Sequence, residues 1–494
     1  MQHKETLAVV WLKRDLRLND NEAIHNAIAT GKRVLLLFVF EEFLIKDPHY
    51  DKRHWDFIKE SITDLNNLLQ PYNSKVLAVN SEVAATLNQL QQHYHIQDLF
   101  SHQETGLLCT YHRDLKIKRY CNNNLITWTE NIWNGVLRGI QNRKGWIGRW
   151  KEYMQAPQFY FHPKNQLLTI HEIEELEKQF STTKLETDRN PLIQKGGTIE
   201  ALKYQNTYFK EQFLNTHKKM SKALESKEIC SRLSPYLAWG NLSTRQVWQA
   251  ANTIRPLSKS KKDIDTFTAR LKWQAHFIQK FEMEHTMEDS SINKGYQLLK
   301  KNISQKYQTA WKTGQTGVPM IDASIRCMNA TGYLNFRMRA VLVSFFTHLL
   351  WQPWQDCAVY MSKMFIDFEP GIHFAQVQMQ AGETGVNTLR IYNPVKNGHE
   401  NDTNAEFIRK WVPELADLQT KHIHEPYLMS PLEQGLYNFK LGIDYPEPII
   451  DLKANRQKAS KILWEMKNNP MVMQENDRIL RKHSTDDAPL NIAG

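Results

Sequence analysis

Residues 7–40, LAVVWLKRDLRLNDNEAIHNAIATGKRVLLLFVF, decide the fold. LAVVWL (7–12) and VLLLFVF (34–40) are continuous apolar runs, so each reads as a strand buried on both faces. Between them NEAIHNAIAT has helical spacing, with Asn19 or Asp20 placed to cap it. The alternation continues. KVLAVN (75–80), DLFSH (98–102) and LITWT (125–129) alternate with HWDFIKESITDLNNLLQ, EVAATLNQLQQHY and RDLKIKRYC. Residues 1–135 are therefore expected to form an α/β domain with a doubly wound parallel sheet. Ligands of such sheets sit at the carboxyl ends of the strands. The loop there is KRDLRLND, not GxGxxG, so a standard dinucleotide site is not indicated. Lys13, Arg14 and Arg17 are expected to make structural ion pairs or to bind an anion.

Beyond this domain the pattern changes. Residues 136–197 read as a connector: GVLRGIQNRKGWIGRWKEYM is basic and aromatic, Pro157 and Pro163 follow, and Gly196–Gly197 marks a break. From 198 to 470 helical periodicity dominates, as in STRQVWQAANTI, TARLKWQAHFIQKF and MRAVLVSFFTHLLWQPW, which predicts an all-α domain. Residues 471–494 are polar and are expected to fray as a tail.

Two domains are the ordinary expectation for 494 residues. No run of about 18 apolar residues and no signal-peptide pattern is visible, so a cytoplasmic protein without a membrane partner is expected. The five cysteines are scattered without a CxxC pair, which argues against a metal centre or a disulfide framework. The net charge of +10 favours a polyanionic partner, nucleic acid first.

Polar chemistry concentrates in residues 360–398, YMSKMFIDFEPGIHFAQVQMQAGETGVNTLRIYNPVKNG. Asp367, Glu369 and His373 precede Gln376, Gln378 and Gln380, between core-like flanks. Burying unpaired polar groups costs roughly 1–3 kcal/mol each, so these need partners. A large polar aromatic ligand such as a nucleotide or flavin would supply them; a polar surface loop beside a capped helix is the alternative. In CSRLSPYLAWGNLSTRQVW (230–248), Ser231, Arg232 and Ser234 precede Pro235, where a helix can start. Such a group suits a pyrophosphate, and it equally suits an ordinary N-capped helix.

These stretches combine with VVWLKRDLRLNDNEAI, with WKTGQTGVPMIDASIRCMNATGYLNFRMRAVLVSFF (311–346) and with FIRKWVPEL. Together, in order and spacing over nearly the whole chain, they resemble the photolyase/cryptochrome family of light-driven flavoproteins. The resemblance implies an N-terminal α/β domain able to hold an antenna chromophore of folate or flavin type. It implies an all-α C-terminal domain enclosing FAD.

Residue by residue, the resemblance places Ser231, Arg232, Leu233 and Ser234 in the phosphate-binding segment. Asp367 falls beside the flavin ring with Arg339 as its partner, and Glu369 stands where a second aspartate is usual. His373 stands where an asparagine often faces the flavin N5; a histidine there could donate a proton or carry charge. Trp311 and Trp354 match the distal and middle electron-transfer tryptophans, while Val377, which cannot be oxidised, holds the proximal position. Trp351, Tyr360 or Tyr392 could bridge the gap or simply pack. Trp273 matches the tryptophan that stacks on a lesion. Around it, Arg270 replaces a glutamate, Phe336 an asparagine, Ala340 a methionine and Met379 a tryptophan. Neither Phe336 nor Ala340 is a histidine, so the (6-4) pattern is missing as well. Trp273 and Phe336 could stack on an extruded base, and Arg270 and Arg337 could hold phosphates. Arg337 and Asn397 match DNA-contact positions, and Glu104 matches an antenna glutamate. The implied function is a monomeric DNA photolyase that splits UV-induced pyrimidine dimers by electron transfer from reduced FAD. A cryptochrome-type photoreceptor without repair activity is the second reading, favoured by the changed pocket and His373.

Overall fold

The structure, a computed structural model, describes residues 4–212, 219–258 and 260–485. Its first half is built on five strands: β1 (Thr6–Leu12), β2 (Arg33–Phe40), β3 (Leu77–Asn80), β4 (His95–His102) and β5 (Thr127–Asn131). All are parallel, in the order β3-β2-β1-β4-β5. The apolar runs are strands because both faces of the sheet are covered. Ala8, Val10 and Leu12 of β1 pack into one core, and Leu7, Val9 and Trp11 into another. Helices α1 (Glu22–Ala29) and α2 (Lys52–Leu69) cover the first face, and α3 (Val83–Leu90) and α4 (Leu108–Asn123) the second. The sheet is therefore doubly wound, as the sequence predicts. The cap of α1 is Asn21, whose side chain accepts from the Ile24 N–H. Asn19 and Asp20 instead accept from the Phe161 and Phe159 backbone N–H groups.

The helical half contains α5 (Trp146–Gln155), α6 (Thr244–Ile254), α7 (Lys261–Met283), α8 (Gln305–Thr313), α9 (Pro319–Thr331), α10 (Phe336–Ser344), α11 (Trp354–Met364), α12 (Pro370–Gln380), α13 (Pro394–Asn401), α14 (Leu452–Lys467) and α15 (Pro470–His483). Helix α12 is central and packs against α7, α10 and α11. Its crossing with α7 is close enough that a Cβ on Gly371 would lie 2.7 Å from the Ile278 Cα. Among the described residues no helix is long and apolar enough to cross a membrane.

Strand order reverses at β1, so a crevice should open where β1 and β4 end. Side chains fill it. Lys13 pairs with Asp114 at 3.3 Å, and Arg113 pairs with Glu41 and Glu104 at 2.9 and 2.5 Å. Arg14 reaches into the helical half, donating to the Ala238 carbonyl at 3.0 Å and to the Phe368 carbonyl, with its guanidinium 4.4 Å from the Trp239 ring centre. Arg17 donates to the Gly240 carbonyl at 3.1 Å. The loops touch so closely that a Cβ on Gly240 would lie 2.1 Å from the Arg14 carbonyl oxygen. The basic loop is thus a strap between the two halves, consistent with its reading as structural ion pairing.

Two stretches depart from expectation. Part of the connector belongs to the first half, since Leu168, Ile173 and Leu176 pack in the sheet's second core. Its Gly196–Gly197 break is pinned to α2: the Gly196 N–H donates to Glu60 and the Thr198 N–H to Asp64, each at 2.7 Å. Most of the expected polar tail is helix α15, with Val472 and Ile479 buried and Asn469 as its cap. Residues 486–494, the end of that tail, lie outside the described residues.

Candidate flavin and DNA site

The site forms where α12 faces α10 and the 230–234 segment. Helix α12 starts at Pro370, a residue suited to the first turn because its missing N–H is not needed there. Ile372, His373, Gln376 and Met379 recur at helical spacing on it and are only half buried, although the helix lies inside the domain. Neighbouring elements thus leave a stripe of α12 uncovered. Just before α12, Asp367 meets Arg339 of α10 in a two-pronged pair at 3.0 and 2.9 Å. Arg339 also donates to the Leu334 carbonyl at 2.7 Å, and its guanidinium lies 3.7 Å from the Phe365 ring centre. Burial alone would raise the Asp367 carboxyl, but Arg339, with help from the Ser234 hydroxyl, holds it below the usual carboxylate range. Asp367 is therefore an anion at neutral pH, and Ser234 lies beside it.

Arg232 has a left-handed backbone (φ 54°). Its guanidinium stacks 3.6 Å from the Tyr333 ring centre and donates to Gln194 at 2.6 Å. Tyr333 and Gln194 were not singled out in the sequence; only the contact with Arg232 reveals them. Arg232 Nε and Gln376 Oε1 are buried without a hydrogen-bond partner among the described residues. The helix beginning at Ser234 is only five residues long, so its dipole adds little. A negative carboxylate, hydroxyls, a clamped arginine and orphaned polar atoms together fit a large polar ligand of the flavin-nucleotide kind.

His373 departs from expectation. Its Nε2–H donates to the Ala358 carbonyl at 2.9 Å, and burial pushes its pKa down to about 4. It is neutral at physiological pH, its proton is already used, and Nδ1 is an acceptor with no hydrogen bond among the described residues. A charged, proton-donating histidine is not what the geometry provides. Glu369 also departs. Its carboxylate turns to Arg14 at 3.7 Å across the junction of the two halves, and burial raises it to about 7.

Residues 8–137 match the family model of DNA photolyase, and residues 267–465 that of the FAD binding domain of DNA photolyase. The chain belongs to the photolyase/cryptochrome family. It is 26% identical over 482 residues to a deoxyribodipyrimidine photo-lyase of Alkalihalophilus pseudofirmus, covering 93% of this chain and 98% of the relative. It is 23% identical over 490 residues to a cryptochrome DASH of Synechocystis sp., covering 94% and 99%. In fold it is similar to a Synechocystis sp. cryptochrome structure, with a TM-score of 0.82 at 21% identity over 94% of this chain and all of the other.

The remaining photolyase/cryptochrome positions fall unevenly around this site. Trp273 of α7 is half buried, and Phe336 at the start of α10 is 47% exposed; both helices border α12. Arg270 is exposed near Cys230 and Arg232, and Arg337 lies against Tyr392. Asn397 is buried and donates to the Asn393 carbonyl, so its side chain is not presented to DNA. Trp354 of α11 donates to Ser291 at 3.0 Å, and Val377 is buried on α12, which packs against α11. Trp311, expected at the outer end of an electron path, is fully buried between Phe346 (4.7 Å) and Tyr360 (5.7 Å). The half-buried Tyr360 is the ring that leads outward from it. Glu104 is neither a surface residue nor a free ligand: it is buried and bound to Arg113, and the adjoining cavity is about 10 Å³, room for one water. Leu233 is buried core.

Proposed function

We propose that this chain is a light-driven FAD flavoprotein that binds DNA and repairs pyrimidine dimers as a photolyase. The observation that carries this reading is the pairing of an exposed and a half-buried aromatic ring, Phe336 and Trp273, on the two helices that border the uncovered stripe of α12. Such rings can stack on an extruded base and exclude water from it. Bound FAD supplies the light-excited electron that such repair requires. The chain's own residues do the rest. Ser231, Arg232 and Ser234 hold phosphates. Asp367, fixed by Arg339, offers a negative charge and hydrogen-bond acceptors. His373 offers a lone pair at Nδ1 rather than a proton. Arg270 and Arg337 supply positive charge for the DNA backbone. The net charge of +10 supports a polyanionic partner.

An antenna chromophore does not fit against Glu104 in this arrangement, since Arg113 occupies the carboxylate and the space beside it is too small for a pterin or flavin ring. No step is assigned to one.

The departures at Arg270, Phe336, Ala340 and Met379 in the lesion pocket favour a second reading, a cryptochrome-type photoreceptor, whereas Val377 in the electron path counts against it. The decisive experiment is illumination of the FAD-loaded protein with dimer-containing DNA. Restoration of intact pyrimidines is expected for a photolyase. Light-dependent flavin reduction without repair would replace that reading with the photoreceptor.

A further inference from the structure

Helix α14, LKANRQKASKILWEMK, carries five cations and a single acid, Glu465. It lies apart from the flavin and lesion site. Asn455 fixes it to the Leu349 carbonyl at 2.8 Å, at the far end of the helical run that Phe336 begins. From Phe336 to Leu349 that run is about 20 Å long. Ala459 and Leu463 of α14 are buried against the fold. Lys453, Arg456, Lys461 and Trp464 recur at helical spacing on its outward face. All four are exposed, Trp464 to 52%, and Lys458 flanks them.

On other helices a surface lysine often meets an acid three or four positions away, as Lys46 meets Glu42, Lys52 Asp56, Lys178 Glu175 and Lys203 Glu200. No cation of α14 makes an ion pair among the described residues, although Glu465 stands four positions after Lys461. Lys467 lies instead 5.3 Å from the Trp464 ring centre. The face therefore combines uncommitted positive charge with a large aromatic ring that forgoes much of the burial it could gain.

We propose that the outward face of α14 is a second nucleic-acid surface, one that binds a single strand. Lys453, Arg456 and Lys461 hold its phosphates, and Trp464 stacks on an unpaired base. Cations that track a backbone beside an aromatic ring are the arrangement that single strands require, and stacking accepts any base. In a duplex the bases already stack on one another, so Trp464 would find no partner there. An anionic membrane offers the same charge. A helix that enters a bilayer turns its apolar residues outward, however, and here Ala459 and Leu463 face the core. The inference goes beyond the repair reading and does not depend on it.

The test is binding of a fluorescent, lesion-free oligothymidylate to the full FAD-loaded chain across a salt series, followed by anisotropy. The probe carries no dimer, so the result stands whether or not the protein repairs one. The double variant Lys453→Gln, Lys461→Gln is expected to lower the slope of log K against log salt by about 0.7 per lysine. Trp464→Ala should weaken binding by about fivefold or more at fixed salt without changing the slope, and Trp464→Phe should restore most of it. A second double variant, Lys178→Gln with Lys203→Gln, removes the same charge from paired, exposed lysines and should keep the wild-type slope. Equal slope losses in the two double variants would reduce the effect to net charge and overturn the proposal. So would wild-type affinity in Trp464→Ala. Loss of binding to phosphatidylserine vesicles with unchanged strand binding would also overturn it and make the face a membrane contact.

Discussion

Asp367→Asn tests the electrostatic centre of the site. The wild-type pair has two charge-assisted bonds, 3.0 and 2.9 Å long, with the Asp367 side chain 7% exposed and that of Arg339 26% exposed. Breaking a fully buried pair from one side costs about 3–5 kcal/mol. Here Arg339 keeps the Leu334 carbonyl and the Phe365 ring, and water can reach it, so the expected loss is smaller, about 2–3 kcal/mol. Urea unfolding should show a lower midpoint with an unchanged slope. The pH dependence fixes the cause. Asp367 titrates below its ordinary 3.8 in the folded state, so its contribution is full above 3.8 and is lost as pH falls through the lower folded value. The gap between wild type and variant should therefore be widest at neutral pH and shrink in acid below 3.8. Equal midpoints at neutral pH, or a gap that is constant into acid, would refute the reasoning.

Three further outcomes follow from the same geometry. Trp273→Ala should weaken binding to lesion-containing DNA by about 1–3 kcal/mol at fixed salt while leaving undamaged DNA nearly unaffected; equal losses on both would reduce Trp273 to packing. The His373 ring, followed by NMR, should stay neutral from pH 8 down to pH 5 and titrate near its lowered value of about 4; a midpoint near 6.5 would contradict the buried Nε2–H to Ala358 bond. Glu369 is raised from 4.5 to about 7, so the stability it contributes is present below 4.5 and is lost as pH rises through 7. Glu369→Gln should remove part of the wild-type decline between those values, and parallel pH–stability curves for the two proteins would rule this out.

Much of the fold was legible because burial on both faces leaves an unmistakable trace. The runs 7–12 and 34–40 need no partner to be recognised, since nearly every residue is apolar. Helix α15 was missed for the opposite reason: Val472 and Ile479 anchor it, and the rest of PMVMQENDRILRKH reads as a solvated segment. The site was legible where chemistry and local order coincide, as at Asp367 and Ser234. It was not legible where a distant residue decides what a side chain does. Glu104 matches an antenna position, but Arg113 holds it. His373 looks like a proton donor until the Ala358 carbonyl takes its N–H. Asn397 looks like a DNA contact until its own helix claims the amide. A sequence motif specifies the residue type, whereas function depends on which lone pair or N–H is left over.

The filled crevice and the position of the flavin site are two consequences of one arrangement. Arg14 leaves the end of β1, donates to the Phe368 carbonyl and meets the Glu369 carboxylate, so the residues that open α12 are held from the α/β half. The Phe368 ring is packed between Tyr50 of that half, 5.5 Å away, and His373 of α12, 5.3 Å away. Asp367, one residue earlier, is held by Arg339 from the helical half. Three consecutive residues thus take their restraints from both halves. Any relative motion of the halves would shift Asp367 and His373 together, in the segment where both face the proposed flavin. Bringing the basic loop out of the crevice to admit a ligand there would release that hold, which is a physical reason for this crevice to be packed with ion pairs.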